Sequence, residues 1–341
     1  MVRAVLENRK AFRNALVKWF ERHGKDYPWR RTRDGYAVLV SEVMLQQTQI
    51  ATVMGKAYYT RFLAIFPNVA ALAAADDERL LKAWEGLGYY RRARMLRDTA
   101  RAVVTRHGGS FPRELTELLE LPGIGPYTAG ALRAFAFELP GAVVDGNVAR
   151  VLARLMNFGE AVDTTAGQRQ MAEWAEALED KQRPRVYNSA LMELGQTLCR
   201  PGVPDCGHCP VARLCKAQAP ERLPLKRQKI LVTAVDEHAL WLRDAAGRLL
   251  LHCEDGARRT GLWKLPTRAA AQISHLPVVA EQLYSITRYR VRLRVHAGQA
   301  RGFTPAPGES WLGLEAVARV PMPSPFRKVL AKLLEKSTNE M

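Results

Sequence analysis

The sequence ELPGIGPYTAGALRAFAFELPGAVVDGNVARVLAR, residues 120–154, decides the fold of the first part of the chain. Its residues 121–125, LPGIG, lie between two apolar helical patterns and are too short and glycine-rich to form an element, so they predict a tight hairpin between two helices. Gly123 and Gly125 lack a Cβ, so the backbone there can adopt positive φ and approach a ligand closely. Amides at the start of the following helix suit a phosphate group. Asp145 then opens another helical segment, and a phosphate-binding hairpin near a carboxylate suggests chemistry on DNA.

Length and charge favour a soluble chain with a polyanionic partner. At 341 residues the chain can form two or three domains. Its 51 Lys and Arg residues against 34 acids give a net charge of +17, which favours association with polyanions, although solvated arginine faces alone give a similar balance. No apolar run reaches the ~18 residues of a membrane span, and the N-terminus lacks a signal-peptide core. We therefore expect a cytoplasmic protein that does not bind membranes.

Four of the five cysteines fall within seventeen residues. Cys199, Cys206, Cys209 and Cys215 have the spacing C-x6-C-x2-C-x5-C, and Cys253 stands apart in a strand pattern, where a small buried hydrophobic role is expected. Clustered cysteines in a cytosolic chain more often bind metal than form disulfides. Zinc sites usually pair two short C-x2–4-C knuckles, whereas the uneven spacing here favours four thiolates around a [4Fe-4S] cluster over zinc.

Hydrophobic periodicity predicts an all-helical first part and a β-rich second part. The predicted helices are 7–23, a long region from Tyr36 through Thr48, 69–75, 78–87, 91–107, 114–119, 121–137, 147–157, 166–180 and 184–199. The predicted strands include 230–235, 239–243, 249–253 and 289–296. The proline-rich, basic stretch 217–229 indicates a linker. The predicted domains are therefore a helical domain over 1–216, the linker 217–229, and a second domain over 230–341.

The pattern over residues 289–296 alternates between apolar residues and arginines. The arginines at 288, 290, 292 and 294 should share one face of the strand. Such a row of arginines could lie along DNA phosphates. The pattern fits an ordinary solvent-exposed face of the strand at least as well.

Four motifs together resemble one family. LPGIGPYTA at 121–129, VDGNVARV at 144–151, SEVMLQQT at 41–48 and the cysteine loop at 199–215 resemble the helix-hairpin-helix DNA glycosylases with an iron–sulfur cluster. Within these, the chain is most similar to the adenine glycosylases, which remove adenine mispaired with 8-oxoguanine or guanine. The GLWKLP segment at 261–266 is similar to that family's Nudix-like C-terminal domain, so the resemblance covers nearly the whole chain.

The resemblance implies an α+β multidomain fold. An all-α helix-hairpin-helix glycosylase domain with a [4Fe-4S] loop would precede a Nudix-like α/β domain that recognises the lesion. The second domain lacks the glutamate run of active Nudix enzymes, so we do not expect pyrophosphate hydrolysis from it.

Two carboxylates fit the chemistry of adenine release. The leaving base gains negative charge and the sugar becomes an oxocarbenium ion, so one carboxyl must be protonated and the other ionised. Glu42 lies beside apolar neighbours at helical spacing and suits the acid; the resemblance implies that it protonates adenine N7 and later activates water. Asp145, at a helix N-terminus, suits the cation stabiliser or transient nucleophile, and Asn147 would hold water or the sugar. The plainer interpretations are a glutamate that reaches solvent, a helix N-cap and an ordinary turn.

Tyr127 distinguishes two reaction types. Related glycosylases that also cut the strand carry a lysine at this point of the hairpin, whose amine forms a Schiff base with the sugar. Tyr127 implies a monofunctional enzyme and, by resemblance, a hydrogen-bond partner near Asp145. A core aromatic on the hairpin helix is the alternative.

Several residues match family positions that contact flipped or neighbouring bases. The resemblance implies that Gln47 and Tyr89 enter the base stack on the 8-oxoguanine side, with Thr48 and Leu87 beside them. Trp29 and Arg30 match part of the adenine pocket wall. Without the family pattern, Trp29 and Tyr89 would be interpreted as core or surface aromatics.

The chain departs from the family pattern at three places. Residues 53–58 include about two extra positions, at 54–57. Ser189 replaces a glutamine or glutamate that faces the base. The Phe-Ser-His loop that reads 8-oxoguanine is Ile286-Thr287-Arg288 here, so Thr287 keeps a hydroxyl and Arg288 is hypothesised to supply a phosphate or O6/N7 contact.

The expected partner is therefore double-stranded DNA with adenine opposite 8-oxoguanine or guanine, bound by a monomer at the bacterial nucleoid. Two alternatives remain: a bifunctional endonuclease III-like glycosylase/lyase, and a catalytically silent binder of damaged DNA.

Overall fold

A computed structural model describes residues 2–227, 231–256 and 259–339. Within these residues the helices are α1 Val2–Glu7, α2 Arg9–His23, α3 Gly35–Leu45, α4 Ile50–Gly55, α5 Tyr58–Ile65, α6 Val69–Ala73, α7 Asp77–Ala83, α8 Arg91–His107, α9 Leu115–Leu119, α10 Pro126–Ala131, α11 Gly146–Leu155, α12 Thr165–Leu178, α13 Pro184–Thr197, α14 Ala270–Ile273, α15 Leu314–Arg319 and α16 Ser324–Asn339. A π-helical turn, Leu132–Ala136, continues α10. No helix in these residues is long and apolar enough to cross a membrane.

The later part of the chain contains two sheets. The strands are β1 Thr233–Trp241, β2 Leu249–Cys253, β3 Trp263–Lys264, β4 Thr267–Arg268, β5 Val278–Ile286, β6 Tyr289–Ala297 and β7 Glu309–Leu312. One sheet has the order β4-β1-β6-β5, with β1 and β6 parallel and the other pairs antiparallel; the other sheet has the order β3-β2-β7. Apolar side chains of both sheets pack with α15 and α16 in one core. The prediction of an α-helical part followed by an α/β part is confirmed.

The hairpin predicted at 121–125 joins α9 and α10. Leu121 and Ile124 are buried and anchor it, whereas Pro122 and Gly123 are exposed. Gly123 has φ of 80°, a left-handed conformation that favours glycine. Gly125 is the N-cap residue of α10, and a Cβ there would meet open space. Positive φ is therefore confirmed at Gly123 but not at Gly125, whose φ is −101°, and the contact with a phosphate stays a prediction.

The chain forms two compact units, and each contains separate stretches of sequence. The first consists of Met1–Gln47, Asn68–Ala73 and Asp98–Lys229. The second consists of Thr48–Pro67, Ala74–Arg97 and Ile230–Met341. These units do not follow the predicted division at 216 and 230, and that division into domains stays a prediction. Residues 228–230, where the predicted linker ends, lie outside the described residues.

Several predicted boundaries are wrong. The long region through Thr48 ends at Leu45, because Gln46 and Gln47 leave helical geometry and Gln47 has φ of 55°. The helix predicted to reach Leu87 ends at Ala83. Two separate strands were predicted at 230–235 and 239–243, of which residue 230 lies outside the described residues. The single strand β1, Thr233–Trp241, stands in their place, and the polar residues between the two predicted strands pair with β6. Along β6 the predicted alternation of buried and exposed residues is confirmed as far as Val295.

Candidate active site

Glu42 lies inside the protein core. All residues of α3 from Gly35 to Met44 are buried, so the helix has no solvent face that the carboxyl could reach. Glu42 is only 5% exposed, and the interpretation of a glutamate that reaches solvent is wrong. The pKa of Glu42 is raised to about 7: burial raises it most, a hydrogen bond from Tyr127 partly opposes the shift, and the negative charge of Asp145 adds to it. Near neutral pH the protonated form is therefore well populated.

Tyr127 projects from the first turn of α10 toward Glu42. Its hydroxyl donates to Glu42 Oε2 at 2.6 Å, across 85 positions of sequence. Burial and the neighbouring Glu42 carboxylate raise the pKa of Tyr127 well above its usual range, and Asp145 adds to the shift. The tyrosine is therefore a neutral hydrogen-bond donor, with Glu42 as its acceptor and Asp145 close by.

Asp145 is the N-cap residue of α11. Its Oδ1 accepts from the backbone N–H groups of Asn147 at 2.9 Å and Val148 at 2.7 Å, and its Oδ2 accepts from Asn147 Nδ2 at 2.8 Å. The two oxygens of Asp145 thus accept three hydrogen bonds from N–H groups. A carboxylate suits this position because both of its oxygens are acceptors. The N-cap interpretation is confirmed, and it is compatible with a catalytic role because the cap holds a carboxylate near Glu42 and Tyr127.

Two buried arginines of α11 were not predicted as site residues. Arg150 Nη2 donates to Asn147 Oδ1 at 2.9 Å, and Arg150 Nε donates to the carbonyl of Cys199 at 2.8 Å. Hydrogen bonds therefore run from Asp145 through Asn147 and Arg150 to the first cysteine of the loop. Arg154 is fully buried and donates to Cys199 Sγ at 3.4 Å. Their spacing of four residues, on the apolar face of a predicted helix, could have indicated that both arginines are buried and paired.

The cysteine loop begins at the end of α13. Cys199, Cys209 and Cys215 are half-buried and Cys206 is exposed. Burial, with the neighbouring Cys199, Cys215 and Cys206, raises the pKa of Cys209 to about 11, and a hydrogen bond with the Val211 backbone partly opposes the shift. The Arg154 guanidinium beside Cys199 Sγ is a suitable neighbour for a thiolate.

The donor set of this loop consists of four thiols. In the described ranges, no three His, Cys, Asp or Glu side chains converge closely enough to hold one metal ion. Four thiolates are the ligands of [4Fe-4S] clusters and also of some structural zinc sites, so the preference for a cluster stays a prediction. Cys253 ends β2 and is half-buried, where a buried position was expected.

Trp29 and Arg30 form a short 3₁₀ turn, Pro28–Arg30, before α3. Trp29 is buried and stacks on Tyr27 with ring centroids 5.0 Å apart. Arg30 Nη1 lies 2.8 Å from Glu193 Oε2, and Glu193 on α13 is completely buried. Ser189, one turn earlier on α13, is also buried. Glu193 was not predicted, and its position among apolar residues of α13 was the available signal.

The residues predicted to contact the base stack lie in turns. Gln47 is exposed and belongs to the first unit; Thr48, Leu87 and Tyr89 belong to the second. Tyr89 is 43% exposed and has φ of 47°, and Leu87 is buried. Positive φ in Gln47 and Tyr89 costs free energy that the surrounding structure must offset, and such residues often cluster at functional sites.

Thr287 and Arg288 form the two-residue turn of the hairpin between β5 and β6. Ile286 pairs with Tyr289, Thr287 has φ of 51°, and both turn residues are exposed. The Arg288 guanidinium lies over the Tyr289 ring at 5.2 Å and donates to its hydroxyl at 3.1 Å. The residues that replace the family's Ser-His pair thus form the tip of a hairpin.

Comparison with known proteins agrees with this arrangement. Residues 40–177 match the HhH-GPD superfamily of base excision DNA repair proteins. The chain is 46% identical over 216 residues to an adenine DNA glycosylase of Mus musculus, covering 61% of this chain and 42% of that protein. It is 30% identical over 244 residues to an adenine DNA glycosylase of Buchnera aphidicola (subsp. Acyrthosiphon pisum), covering 68% and 69%.

A solved structure of a thermostable thymine-DNA glycosylase is also similar. It has 31% identity and a TM-score of 0.56, and the match covers 62% of this chain and 96% of that one. The chain spans about two fifths of the length of the mammalian adenine DNA glycosylases that it matches. Residues 40–177 thus match the HhH-GPD superfamily, and the chain belongs to the MutY family of adenine DNA glycosylases.

Proposed function

We propose that this protein is a monofunctional adenine DNA glycosylase that excises adenine opposite 8-oxoguanine or guanine in duplex DNA of the bacterial cytoplasm, acting as a monomer. The observation that carries the proposal is the buried Glu42 carboxyl, with a pKa of about 7, hydrogen-bonded to Tyr127 and close to Asp145. Two carboxyl groups in such different surroundings match the acid and the ionised partner that glycoside cleavage requires.

In the proposed reaction Glu42 first donates a proton and later regains one, whereas Asp145 stabilises the positive charge of the sugar. Protonated Glu42 gives its proton to adenine N7, and the C1′–N9 bond breaks with its electron pair leaving on the base. The Asp145 carboxylate stabilises the positive sugar or bonds to it transiently. Water then adds to C1′ and its proton returns to Glu42, so the products are free adenine and an abasic site. General acid catalysis of this kind typically contributes about 10²–10⁴ in rate.

Tyr127 supports a reaction without strand cleavage. Its neutral hydroxyl is directed at Glu42, and a tyrosine cannot form the Schiff base that a lysine at this position would provide. The endonuclease III-like alternative needs such an amine.

We further propose that Cys199, Cys206, Cys209 and Cys215 hold a [4Fe-4S] cluster. The Arg154 hydrogen bond to Cys199 Sγ and the packing of Cys199, Cys209 and Cys215 against one core support this assignment. When bound, the cluster would cross-link the loop that accepts a hydrogen bond from Arg150. Iron and acid-labile sulfide analysis would separate the cluster from zinc.

The proposed DNA contacts use accessible backbone and turn residues. The backbone at Gly123 and Gly125 would bind a phosphate. Gln47 and Tyr89 would enter the base stack, with Thr48 and Leu87 beside them. The adenine pocket would be lined by Trp29, Arg30 and Ser189. The hairpin tip at Thr287 and Arg288 would read the opposite base. The replacement of glutamine or glutamate by Ser189 shortens one pocket contact.

Arg288→Ala distinguishes two contacts at the hairpin tip. Loss of a phosphate contact should weaken binding equally for both opposite bases and reduce the salt slope by about 1. Loss of a base-edge contact should instead reduce the preference for 8-oxoguanine over guanine by about 1–3 kcal/mol.

The test of the proposed function is product analysis under single-turnover conditions. Duplexes would carry adenine opposite 8-oxoguanine, guanine or thymine, and a fourth would carry a guanine–thymine mispair. We expect free adenine from the first two duplexes, abasic sites that break only on heating in alkali, and no product from Glu42→Gln. Strand cleavage without alkali would favour the lyase alternative, and mismatch binding without base release would favour a silent binder.

A further inference from the structure

The turn that follows α7 carries two predicted DNA contacts and is held in an unusual backbone conformation. Gly86, Gly88 and Tyr89 all have positive φ, at 101°, 69° and 47°. We call residues 84–90 the wedge turn, because Leu87 and Tyr89 lie within it. Gly86 and Gly88 adopt positive φ readily, whereas Tyr89 does so at a cost in free energy that contacts around the turn must offset.

Arg327, on the last helix α16, forms an ion pair with Glu85 of the wedge turn. Arg327 on α16 places Nε 2.7 Å from Glu85 Oε1. The same guanidinium donates to the carbonyls of Val317 and Val320, both at 2.6 Å, so Arg327 is itself fixed by its own segment. Glu85 is thus held by a cation whose orientation is set by two hydrogen bonds to backbone carbonyls of its own segment.

Two further side chains link the same parts of the second unit. Lys82 Nζ lies 2.7 Å from Glu85 Oε2 and donates to the carbonyl of Ala318 at 2.6 Å. The Tyr90 hydroxyl donates to the carbonyl of Met322 at 3.1 Å. Glu85 and Tyr90, near the two ends of the wedge turn, therefore both contact the segment 317–327.

Internal hydrogen bonds pass this restraint to the exposed residues of the turn. Trp84 Nε1 donates to the carbonyl of Gly88 at 3.1 Å, and Arg92 Nη2 donates to the carbonyls of Leu87 and Gly88. Arg92 also lies over the Tyr89 ring at 5.5 Å. Glu85 belongs to the same short turn, which the Trp84 and Arg92 hydrogen bonds close around Tyr89.

We infer that Glu85 and Arg327 form a positioning pair through which the C-terminal part of the second unit sets the conformation of the wedge turn and thereby the discrimination between opposite bases. The inference rests on the proposed function. Neither residue is assigned a contact with the substrate, and the pair acts through Leu87 and Tyr89.

The test is a double-mutant cycle with Glu85→Gln, Arg327→Gln and the double variant. The readout is the ratio of affinities for duplexes that carry a non-hydrolysable 2′-fluoro-adenosine opposite 8-oxoguanine or opposite guanine. We expect each single change to reduce this ratio about tenfold and the double change to reduce it no further, because contacting residues are non-additive. Arg319→Gln is the matched control, since its pair with Glu315 in the same segment is exposed on both sides.

The same variants would be assayed for adenine release from cleavable duplexes. No release by the wild-type protein would contradict the proposed function while the affinity ratios still test the pair. Three outcomes would overturn the inference. The wild-type protein could have an affinity ratio of one, or the single variants could keep the wild-type ratio. In the third outcome the double variant would show the product of the two single-variant reductions. Thermal unfolding of each variant separates a local change from general loss of the fold.

Discussion

The carboxyl group of Glu42 is buried, where the ionised form is less favourable in free energy than it is in water. Its pKa rises from an ordinary 4.5 to about 7 because of burial. Below pH 4.5 both folded and unfolded forms are protonated, and the free energy of unfolding has its full value. Between pH 4.5 and 7 only the unfolded form loses its proton, so stability falls as the pH rises.

Replacement of Glu42 by the neutral, isosteric Gln should remove that cost. At pH 8 we expect Glu42→Gln to be more stable than the wild type by about 3 kcal/mol, from ~1.4 kcal/mol for each unit of pKa. The difference should vanish near pH 4.5. Denaturant unfolding at the two pH values measures it, with the exposed Glu173→Gln as control. A Gln variant less stable than the wild type at pH 8 would contradict the assigned burial cost.

The Tyr127 hydroxyl lowers the pKa of Glu42, so its removal should raise that pKa further. Tyr127→Phe should move the pH at which adenine release is half-maximal upward by about one unit, which corresponds to ~1.4 kcal/mol. Single-turnover rates between pH 5 and 9 would show the shift. An unchanged midpoint would mean that this hydrogen bond does not affect the ionisation that controls the rate.

At the residue scale, sequence predicted the apolar neighbours of Glu42 but not its complete burial. The helical period showed which residues of α3 share a face, whereas only packing against other elements determines whether that face is covered. The resemblance predicted Tyr127 near Asp145, whereas its hydrogen bond is to Glu42 and depends on the approach of α10 to α3 across 85 positions.

At the scale of elements, Asp145 both caps α11 and carries the proposed negative charge. Asn is also a good N-cap, whereas Ala is a poor one. Asp145→Asn should therefore keep the wild-type stability within a few tenths of a kcal/mol, and Asp145→Ala should lose about 1 kcal/mol. Both should release adenine at least about 10²-fold more slowly, because the charge near the sugar is lost. Wild-type rates in Asp145→Asn would refute the catalytic role.

Gly130 permits a close approach between α10 and the strand-like segment before Asp145. A Cβ at Gly130 would lie 2.3 Å from the carbonyl oxygen of Ala142, so backbone must move. Gly130→Ala should destabilise the fold by about 1–3 kcal/mol despite the better helix propensity of Ala. Gly55→Ala on α4 meets no atom within 4 Å and should be neutral or stabilising. Thermal unfolding of both variants makes the comparison, and equal effects would contradict it.

Sequence predicted most helices of the first part because their apolar periods are long. It missed the break at Gln46 and Gln47, since neither glycine nor proline marks it. The turn after Ala83 was missed as well, although Gly86 and Gly88 were available signals. In β1 the polar residues between the two apolar stretches were interpreted as a gap, whereas they pair with β6.

At the scale of the whole molecule, the net charge of +17 should make DNA affinity strongly dependent on salt. Affinity for undamaged duplex should fall by about 10³–10⁵ between 50 and 200 mM salt if six to ten phosphates are contacted. Fluorescence anisotropy over this range measures the slope. A slope near zero would show that the excess charge is solvated surface.

The division into two compact units could not be predicted from sequence. Stretches 48–67 and 74–97 look like the helices around them in period and composition. Their membership in the second unit depends on contacts such as Arg327 with Glu85, which join residues 242 positions apart.

The most direct measurement is the pH dependence of adenine release, under single-turnover conditions, from a duplex with adenine opposite 8-oxoguanine. If Glu42 is the acid, the wild-type rate should fall tenfold per pH unit above about pH 7, where the carboxyl loses its proton. Glu42→Gln should release no adenine at any pH. A wild-type rate that stays constant or rises above pH 7, or a Gln variant that keeps the wild-type rate, would contradict the assignment of Glu42 as the acid.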